Sequence, residues 1–352
     1  MNASLPQSLT EAAPVTPALT PSKDAREWVR VLAQYREPNT ARSLLELTLT
    51  LLPFFALWGA AWAALTVSPF LSLAIAVLNG FFLVRLFVIQ HDCGHGSFLA
   101  NRRAMDWVGR SLGVLTVTPY MVWRHSHSIH HSAAGNLEQR GIGDINTLTL
   151  NEYRDLSRFG RFGYHLYRNP LFMFGVVPAY LFLFQHRIPL GYMTEGKRFW
   201  ISTQGSNLAT GLLIATIVYF GGWQPIFWIF IPTVIAAATL GMWLFYVQHQ
   251  FEDTHWDHDV DWQLHEAALH GSSFYDLPQP FRWLSANIGV HHVHHLYSRI
   301  PFYRLMDVIR DHPELAEDQR MTLGESLVSA RLHIWNEDTR KLLSFKDARA
   351  LL

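Results

Sequence analysis

Four long apolar runs set the first limit on how this chain can fold. Each approaches the roughly 20 residues that an α-helix needs to cross the hydrocarbon core of a bilayer. A buried helix of a soluble core can look similar, but four such lengths rarely coincide in one soluble domain. We therefore predict an all-α integral membrane protein with four transmembrane helices in two hairpins. The predicted spans cover residues 47–67, 69–89, 199–220 and 225–247.

The distribution of basic residues predicts which way these spans face. Of the 28 Lys and Arg residues, five precede the first run, twelve lie between the second and third runs, and ten follow the fourth. Only Arg85 lies inside a run, and the short connections within the two hairpins carry none. By the positive-inside rule, both termini and the large central loop are expected in the cytoplasm. We expect a multi-pass protein of the bacterial inner membrane.

The chain also carries three clusters of histidines at helical spacing. Residues three and four apart lie on one face of a helix, so each cluster can direct two or three imidazole nitrogens at a common point. Imidazole is the commonest transition-metal ligand. Eight histidines in three such groups are too many for one metal ion and suit a pair. The clusters are His91 and His95; His127, His130 and His131; and His291, His294 and His295.

The positions of these clusters put them on one side of the membrane. The first two lie between the second and third spans, and the third follows the fourth span. His249 comes directly after the fourth span, and we predict it as a ninth ligand. Ligand type alone leaves zinc open, although structural zinc usually takes cysteine. Nine histidines around two metals favour redox chemistry, so we predict a cytoplasmic, histidine-coordinated di-metal cap.

Partners for these ligands can be sought nearby in sequence. A metal-binding histidine normally donates its second N–H to a carboxylate or a carbonyl, which fixes the orientation of the ring. Five polar residues lie close to the predicted ligands along the chain, and we predict that some of them have this role. They are Asp92, Asp144, Glu252, Asp253 and Asn287.

Three stretches around the histidine clusters identify a family resemblance. The chain resembles the membrane fatty acid desaturases, especially the bacterial and plant acyl-lipid branch that includes the omega-6 (delta-12) enzymes. Gly96 departs from the many plant members that carry a further histidine at this place, but the His91 and His95 pair is intact. The matching stretches are His91-Asp-Cys-Gly-His-Gly-Ser-Phe98, Trp123-Arg-His-Ser-His-Ser-Ile-His-His-Ser132 and Asn287-Ile-Gly-Val-His-His-Val-His-His-Leu296, with Gly143-Asp-Ile-Asn-Thr-Leu-Thr149 and Tyr167-Arg-Asn-Pro170 resembling the central loop.

The resemblance implies both a chemistry and a set of partners. It implies two iron ions held by the histidine boxes on the cytoplasmic face, with O₂ as co-substrate and a membrane acyl lipid as substrate. The product would be a cis double bond in the acyl chain. A fused cytochrome b5 domain would show His-Pro-Gly-Gly, but the only His-Pro here is His312-Pro313, followed by Glu314. The electron donor implied is therefore a separate ferredoxin or cytochrome b5.

The predicted organisation of the chain has four parts. Residues 1–22 are rich in Ala, Pro, Thr and Ser and are predicted to be a disordered tail. A juxtamembrane helix is expected in residues 23–43. The desaturase domain is predicted to cover residues 44–303, and residues 304–352 are expected to form a cytoplasmic C-terminal extension.

Two other classes of protein share some of these features. Another histidine-box oxidase, such as a lipid hydroxylase or ketolase or an alkane hydroxylase, would use the same metal and oxygen chemistry. A histidine-rich metal transporter would place ionisable residues at mid-depth in the membrane. No histidine falls within residues 47–90 or 199–248, which disfavours the transporter. Basic residues are scattered and no base-reading module is visible, so no nucleic-acid partner is expected.

Overall fold

The computed structural model describes residues 24–317 and 319–352, and the predicted disordered tail (1–22) lies outside them. The described chain is mostly helical. Two π-helical turns, Phe172–Val176 and Ile226–Phe230, lead directly into longer helices. The α-helices are α1 (Ala25–Leu32), α2 (Thr40–Ala64), α3 (Pro69–His95), α4 (Arg102–Leu115), α5 (Tyr120–Ala133), α6 (Leu150–Asp155), α7 (Arg158–Tyr167), α8 (Val177–Leu183), α9 (Lys197–Gly221), α10 (Ile231–His249), α11 (Leu264–His270), α12 (Phe281–Leu284), α13 (His291–Leu296), α14 (Leu305–Asp311), α15 (Glu314–Glu317), α16 (Leu323–Ser329) and α17 (Phe345–Leu351).

Three helical segments are long and apolar enough to cross a membrane. They are α2, α3 and the segment Ile226–His249, which joins the second π-helical turn to α10. The third predicted run also forms a helix, α9, of 25 residues. Its first half, Ile201-Ser-Thr-Gln-Gly-Ser-Asn207, is polar, which lowers its mean hydropathy. Length and composition therefore give three candidate spans among the described residues, where the sequence predicts four.

Local signals fix the ends of the first hairpin. The side chain of Asn39 caps α2 by accepting from the backbone N–H of Arg42 at 3.0 Å. Pro69 occupies the first turn of α3, where its missing N–H costs nothing. Gly96 ends α3 with a φ of 78°, a left-handed conformation that suits glycine. Because α3 runs on to His95, the first histidine pair lies on the same rigid helix as the second span.

Helices α2, α3 and α10 pack closely through small and hydroxyl-bearing residues. A Cβ at Gly80 of α3 would lie 2.7 Å from the Cβ of Ala236 on α10, so only glycine allows this approach. The hydroxyl of Thr233 donates to the carbonyl of Ala76 at 3.0 Å. These contacts hold α3 and α10 side by side in the half of each helix that is further from the histidines.

A buried ion pair connects this bundle to the segment before the third histidine box. Arg85, on α3, pairs with Glu46 of α2 and donates to the hydroxyl of Thr50 at 3.1 Å. Its guanidinium also donates to the carbonyl of Trp283 and lies 4.1 Å from the centre of that indole ring. The one basic residue predicted inside a span is thus fully partnered, as a buried charge requires.

Short strands give the fold a part that is not helical. Their two to five residues leave little periodic signal, which explains why the sequence predicted an all-α protein. The order β1–β4–β5 forms one sheet, with β4 parallel to β1 and antiparallel to β5, and β2 pairs with β3 in parallel. Residues predicted as a C-terminal extension therefore pair with the central loop. The strands are β1 (Leu148–Thr149), β2 (Phe274–Asp276), β3 (Arg320–Thr322), β4 (Leu332–Asn336) and β5 (Lys341–Ser344).

The region predicted as a juxtamembrane helix divides into two parts. Helix α1 buries Ala25, Trp28 and Leu32 on one face, and the Trp28 ring meets the His312 ring edge-on at 5.2 Å. Residues 40–43 instead begin the membrane helix α2. Helix α1 consequently packs onto the C-terminal part of the protein.

Candidate metal centre

Four helices bring the histidine clusters to one place. Helix α3 carries the first pair near its C-terminal end, and α5 carries the second cluster. The last residue of α10 is His249, and the third cluster occupies most of the short helix α13. The helical spacing read from the sequence is therefore the spacing that the structure uses.

The nine histidines form two groups of possible metal ligands. Within each group the nitrogen atoms that can bind a metal all lie within 4.8 Å of one another. Every histidine predicted as a ligand belongs to one group or the other. The five-histidine group comprises His91, His95, His127, His131 and His294, and the four-histidine group comprises His130, His249, His291 and His295.

Each triplet is divided between the two groups in the same way. The two residues four apart, His127 with His131 and His291 with His295, stay together. The remaining residue of each triplet, His130 or His294, joins the opposite group. Residues four apart lie almost in line along a helix, whereas the remaining histidine of each triplet points to one side. Helices α5 and α13 thus each supply ligands to both groups.

The distances between ring nitrogens show how tightly the groups converge. In the five-histidine group, the Nε2 atom of His95 lies 3.2 Å from that of His91 and 3.0 Å from that of His127. In the four-histidine group, the Nε2 atoms of His249 and His291 lie 3.0 Å apart. Such convergence of imidazole nitrogens fits a shared cation.

Burial favours the neutral form of five of these imidazoles. It lowers the pKa of five histidines outside the membrane helices well below the ordinary value, and the neighbouring imidazoles lower it further. A neutral ring has a lone pair available for a metal, whereas a protonated ring has none. The donor set therefore fits two first-row metal ions. The five residues are His127, His131, His291, His294 and His295.

Two of the predicted partners contact a ligand. The Oδ1 atom of Asp144 lies 2.6 Å from the Nδ1 atom of His130. Asp92 lies with its Oδ1 atom 3.4 Å from the Nδ1 atom of His91, and its other oxygen accepts from the backbone N–H of Phe302 at 2.8 Å. Both carboxylates therefore orient a ring through the nitrogen that faces away from the group.

The other three of the five candidate partners make different contacts. Glu252 and Asp253 are at the surface, where they pair with Lys341 of β5 at 2.8 and 3.4 Å. The chain turns away from the metal groups as soon as α10 ends, so proximity in sequence does not persist in space. Asn287 donates to the carbonyl of Phe302 at 3.3 Å and has a φ of 55°, which makes it a turn residue.

The structure also supplies contacts that the sequence did not predict. The Nδ1 atom of His249 donates to the carbonyl of Gly271 at 3.3 Å. A Cβ at Gly271 would lie 2.5 Å from the carbonyl oxygen of Ala267, so glycine is required at this turn. The indole of Trp123 stacks on the His127 ring, with 4.7 Å between centres. A backbone carbonyl leaves no residue-specific signal in a sequence, so the first contact could not have been found there.

An apolar cavity of about 590 Å³ leads away from the histidines. His91 and His291 line one end, and Leu83 of α3 and Val234 of α10 line the wall further into the membrane. Along α3 the eight residues from His91 to Leu83 correspond to about 12 Å. Gly241 of α10 also lines this cavity, and a Cβ there would meet no atom within 4 Å. The cavity is therefore a long apolar site with the histidines at its head.

Comparison with known proteins identifies the family. The family model for fatty acid desaturases matches residues 68–326, which include all three histidine clusters. The chain belongs to the fatty acid desaturase family. This desaturase is 41% identical to a fatty acid desaturase of Bacillus subtilis, over 91% of each chain. The metal-transporter alternative is therefore set aside.

More distant relatives confirm the resemblance to the acyl-lipid branch. The desaturase is 27% identical to an sn-1 oleoyl-lipid 12-desaturase of Arthrospira platensis, over 70% of each chain. It is 28% identical to an sn-1 acyl-lipid omega-3 desaturase (ferredoxin) of Synechocystis, over 65% of this chain and 64% of the relative. Among plants, an omega-3 fatty acid desaturase of the endoplasmic reticulum from Vigna radiata is also 28% identical, over 64% of this chain and 60% of the relative.

Proposed function

We propose that this desaturase holds two iron ions and uses O₂ to introduce a cis double bond into an acyl chain of a membrane lipid. The observation that carries the proposal is the apolar cavity of about 590 Å³ that ends at the two histidine groups. An alkyl C–H bond offers no acid–base handle to a side chain. Bound iron would supply the oxygen-dependent oxidation that such a bond requires.

The residues of the chain would divide the remaining tasks among them. The five-histidine group and the four-histidine group would each hold one ion. Apolar side chains of α3, α8 and α10 would bind the acyl chain, exclude water and hold the reacting carbons beside His91 and His291. The acyl-lipid names of the relatives from Synechocystis and Arthrospira support a chain still esterified in a lipid.

Electrons from outside the protein would complete the reaction. Reduction of O₂ to two waters takes four electrons: two come from the C–H bonds that are broken, and two come with two protons from a donor. A second pocket, of about 470 Å³, is lined by His95 and His127 beside Arg124 and Arg198. These cations favour an acidic carrier, either a ferredoxin or a cytochrome b5. The relative from Synechocystis carries ferredoxin in its name.

The proposed function predicts the iron content of the purified protein and the lipid product that it forms. Protein purified in detergent without added zinc should contain about two irons per chain, because each histidine group suits one ion. A bacterial host that expresses the chain should accumulate a cis-unsaturated acyl chain in its membrane lipids. Gas chromatography and mass spectrometry of the lipids would detect it. Hydroxylated chains in place of alkenes would instead establish the lipid hydroxylase, and active protein with one iron or none would contradict the two-iron site.

We also propose a four-span topology in the bacterial inner membrane, with the termini and the metal centre in the cytoplasm. The support is the 25-residue length of α9 and the distribution of arginine. A cysteine introduced at position 145 should be labelled by a membrane-impermeant maleimide only after the cell is opened. A cysteine placed at 222, between α9 and the next helix, should be labelled in intact cells. The reverse pattern would overturn this topology.

A further inference from the structure

A buried arginine lies between three parts of the chain that surround the four-histidine group. Arg168 follows α7 in the Tyr167-Arg-Asn-Pro170 segment, and its exposed fraction is 1%. No carboxylate pairs with it within residues 24–317 and 319–352 of the structure; its hydrogen bonds go to carbonyl, hydroxyl and amide oxygens. A buried cation without an anionic partner is costly, so its place here calls for an explanation.

The first part that Arg168 holds is the end of α10. Its Nη2 atom donates to the hydroxyl of Tyr246 at 3.0 Å and to the side-chain oxygen of Gln250 at 2.7 Å. Tyr246 and Gln250 flank His249, which is the last residue of α10. The guanidinium therefore fixes the backbone on both sides of a predicted metal ligand.

The second part is the loop that orients His130. The Nη1 atom of Arg168 lies 3.4 Å from the hydroxyl of Thr147 and 3.5 Å from the carbonyl of Asn146. Asp144, which contacts the Nδ1 atom of His130 at 2.6 Å, lies in the same loop. The hydroxyl of Thr147 donates in turn to Gln250 at 3.1 Å, so this loop and the end of α10 share one network.

The third part is strand β4, from the C-terminal region. The carbonyl of Leu332 accepts from the Nη2 atom of Arg168 at 2.9 Å and from the hydroxyl of Tyr246 at 2.8 Å. Strand β4 is also paired with β1, which directly follows the Asp144 loop. One planar guanidinium thus joins α10, the central loop and the C-terminal sheet.

We propose that Arg168 is a positioning residue for the four-histidine group, which it holds through His249 on one side and His130 on the other. The proposal rests on the proposed function, because it concerns the ion in that group. None of the five hydrogen bonds of the Arg168 side chain reaches a segment next to the five-histidine group. Loss of Arg168 should therefore affect one ion and leave the other. Lysine cannot replace it, because an ammonium lacks the planar fork that spans these acceptors.

The test measures metal affinity in the full-length protein. Arg168→Lys and Arg168→Met, purified in detergent, are titrated with Fe(II) without oxygen. At a free Fe(II) concentration that just fills both sites of the wild type, the variants should hold about one ion per chain. The reason is that loss of such an outer contact weakens a site by about 10–100-fold. Excess Fe(II) should restore the second ion in Arg168→Lys, which unfolded protein would not show. Two ions per chain in both variants at that same free Fe(II) concentration would overturn the proposal.

A matched control and two double variants show which ion is lost. Arg187→Lys removes a guanidinium that also bonds to a carbonyl and an amide, those of Val117 and Asn207, and it should keep both ions. Adding Arg168→Met to His249→Ala should lower the iron content no further, whereas adding it to His95→Ala should remove almost all iron. Equal losses in both backgrounds would show a general effect and contradict the assignment. Wild-type protein without iron would count against the proposed function instead.

Discussion

Alanine at His249 should abolish desaturation and lower the iron content from about two ions per chain to about one. The four-histidine group is fully buried, so water has poor access to the vacated position. The change leaves three imidazoles there and also removes the contact of His249 with the carbonyl of Gly271 at 3.3 Å. Even loss of an outer contact typically weakens a metal site by about 10–100-fold, and loss of a ligand should weaken it more. Iron analysis and lipid profiling of the same preparation would check both effects.

Histidines outside the two groups provide the controls for this result. His125 belongs to the second box, but its Nε2 atom lies 3.5 Å from a carboxylate oxygen of Glu195 instead of near another predicted ligand. His333 lies in β4, and its ring packs at a tilt against Phe345 with 4.3 Å between ring centres. His125→Ala and His333→Ala should retain two irons and most of the activity at matched protein levels. Full activity in the His249 variant would remove it from the ligands, and equal losses in the controls would show that activity only reports folding.

Phenylalanine at Gly241 should strongly reduce desaturation of long acyl chains while the iron content stays at its normal level. Gly241 lines the cavity, and a Cβ there would meet no atom within 4 Å, so a phenylalanine ring has room to enter the cavity. The position is seven residues before Gln248, which corresponds to about 10 Å along α10. A ring at this depth should obstruct a long chain more than a short one. An overpacking cost of about 1–3 kcal/mol corresponds to roughly a 5- to 150-fold loss of binding.

Gly211 offers a matched control for this substitution. It lies in α9, also meets no atom within 4 Å at its Cβ position, and does not line the cavity. Gly211→Phe should therefore leave the rate and the product unchanged. The measurement compares acyl substrates of decreasing length with each variant. If Gly241→Phe handles all lengths as the wild type does, the acyl chain does not occupy this cavity.

Much of the site could be predicted because its chemistry repeats at helical spacing. The intervals in the three histidine boxes place the rings on helix faces, and the order of boxes and apolar runs puts them on one side of the membrane. How the ligands divide could not be predicted in the same way. The assignment of His130 and His294 to opposite groups depends on how α5 and α13 face each other, which only the tertiary packing determines.

The two acidic candidates that follow His249 lie away from the histidine groups for a physical reason. Glu252 and Asp253 follow His249 closely in sequence, but the backbone turns outward at the end of α10 and β5 supplies Lys341 as their partner. Asp144 does contact a predicted ligand, His130, because its loop folds back over α5. The sequence around Arg168 indicates only a family motif, since its partners are atoms contributed by distant segments. Distance along the chain is a useful guide only within one rigid element.

The hydrogen bonds of Arg85 form at different times during synthesis of the protein. Its guanidinium pairs with Glu46, which precedes it in the chain, and with the carbonyl of Trp283, which is synthesised 198 residues later. Domains form as the chain emerges from its N-terminus. The first hairpin therefore forms with this cation held only by Glu46 and Thr50 of its own first helix. The carbonyl of Trp283 is synthesised much later. Until then, one N–H group of Arg85 lacks the acceptor that it has in the folded enzyme.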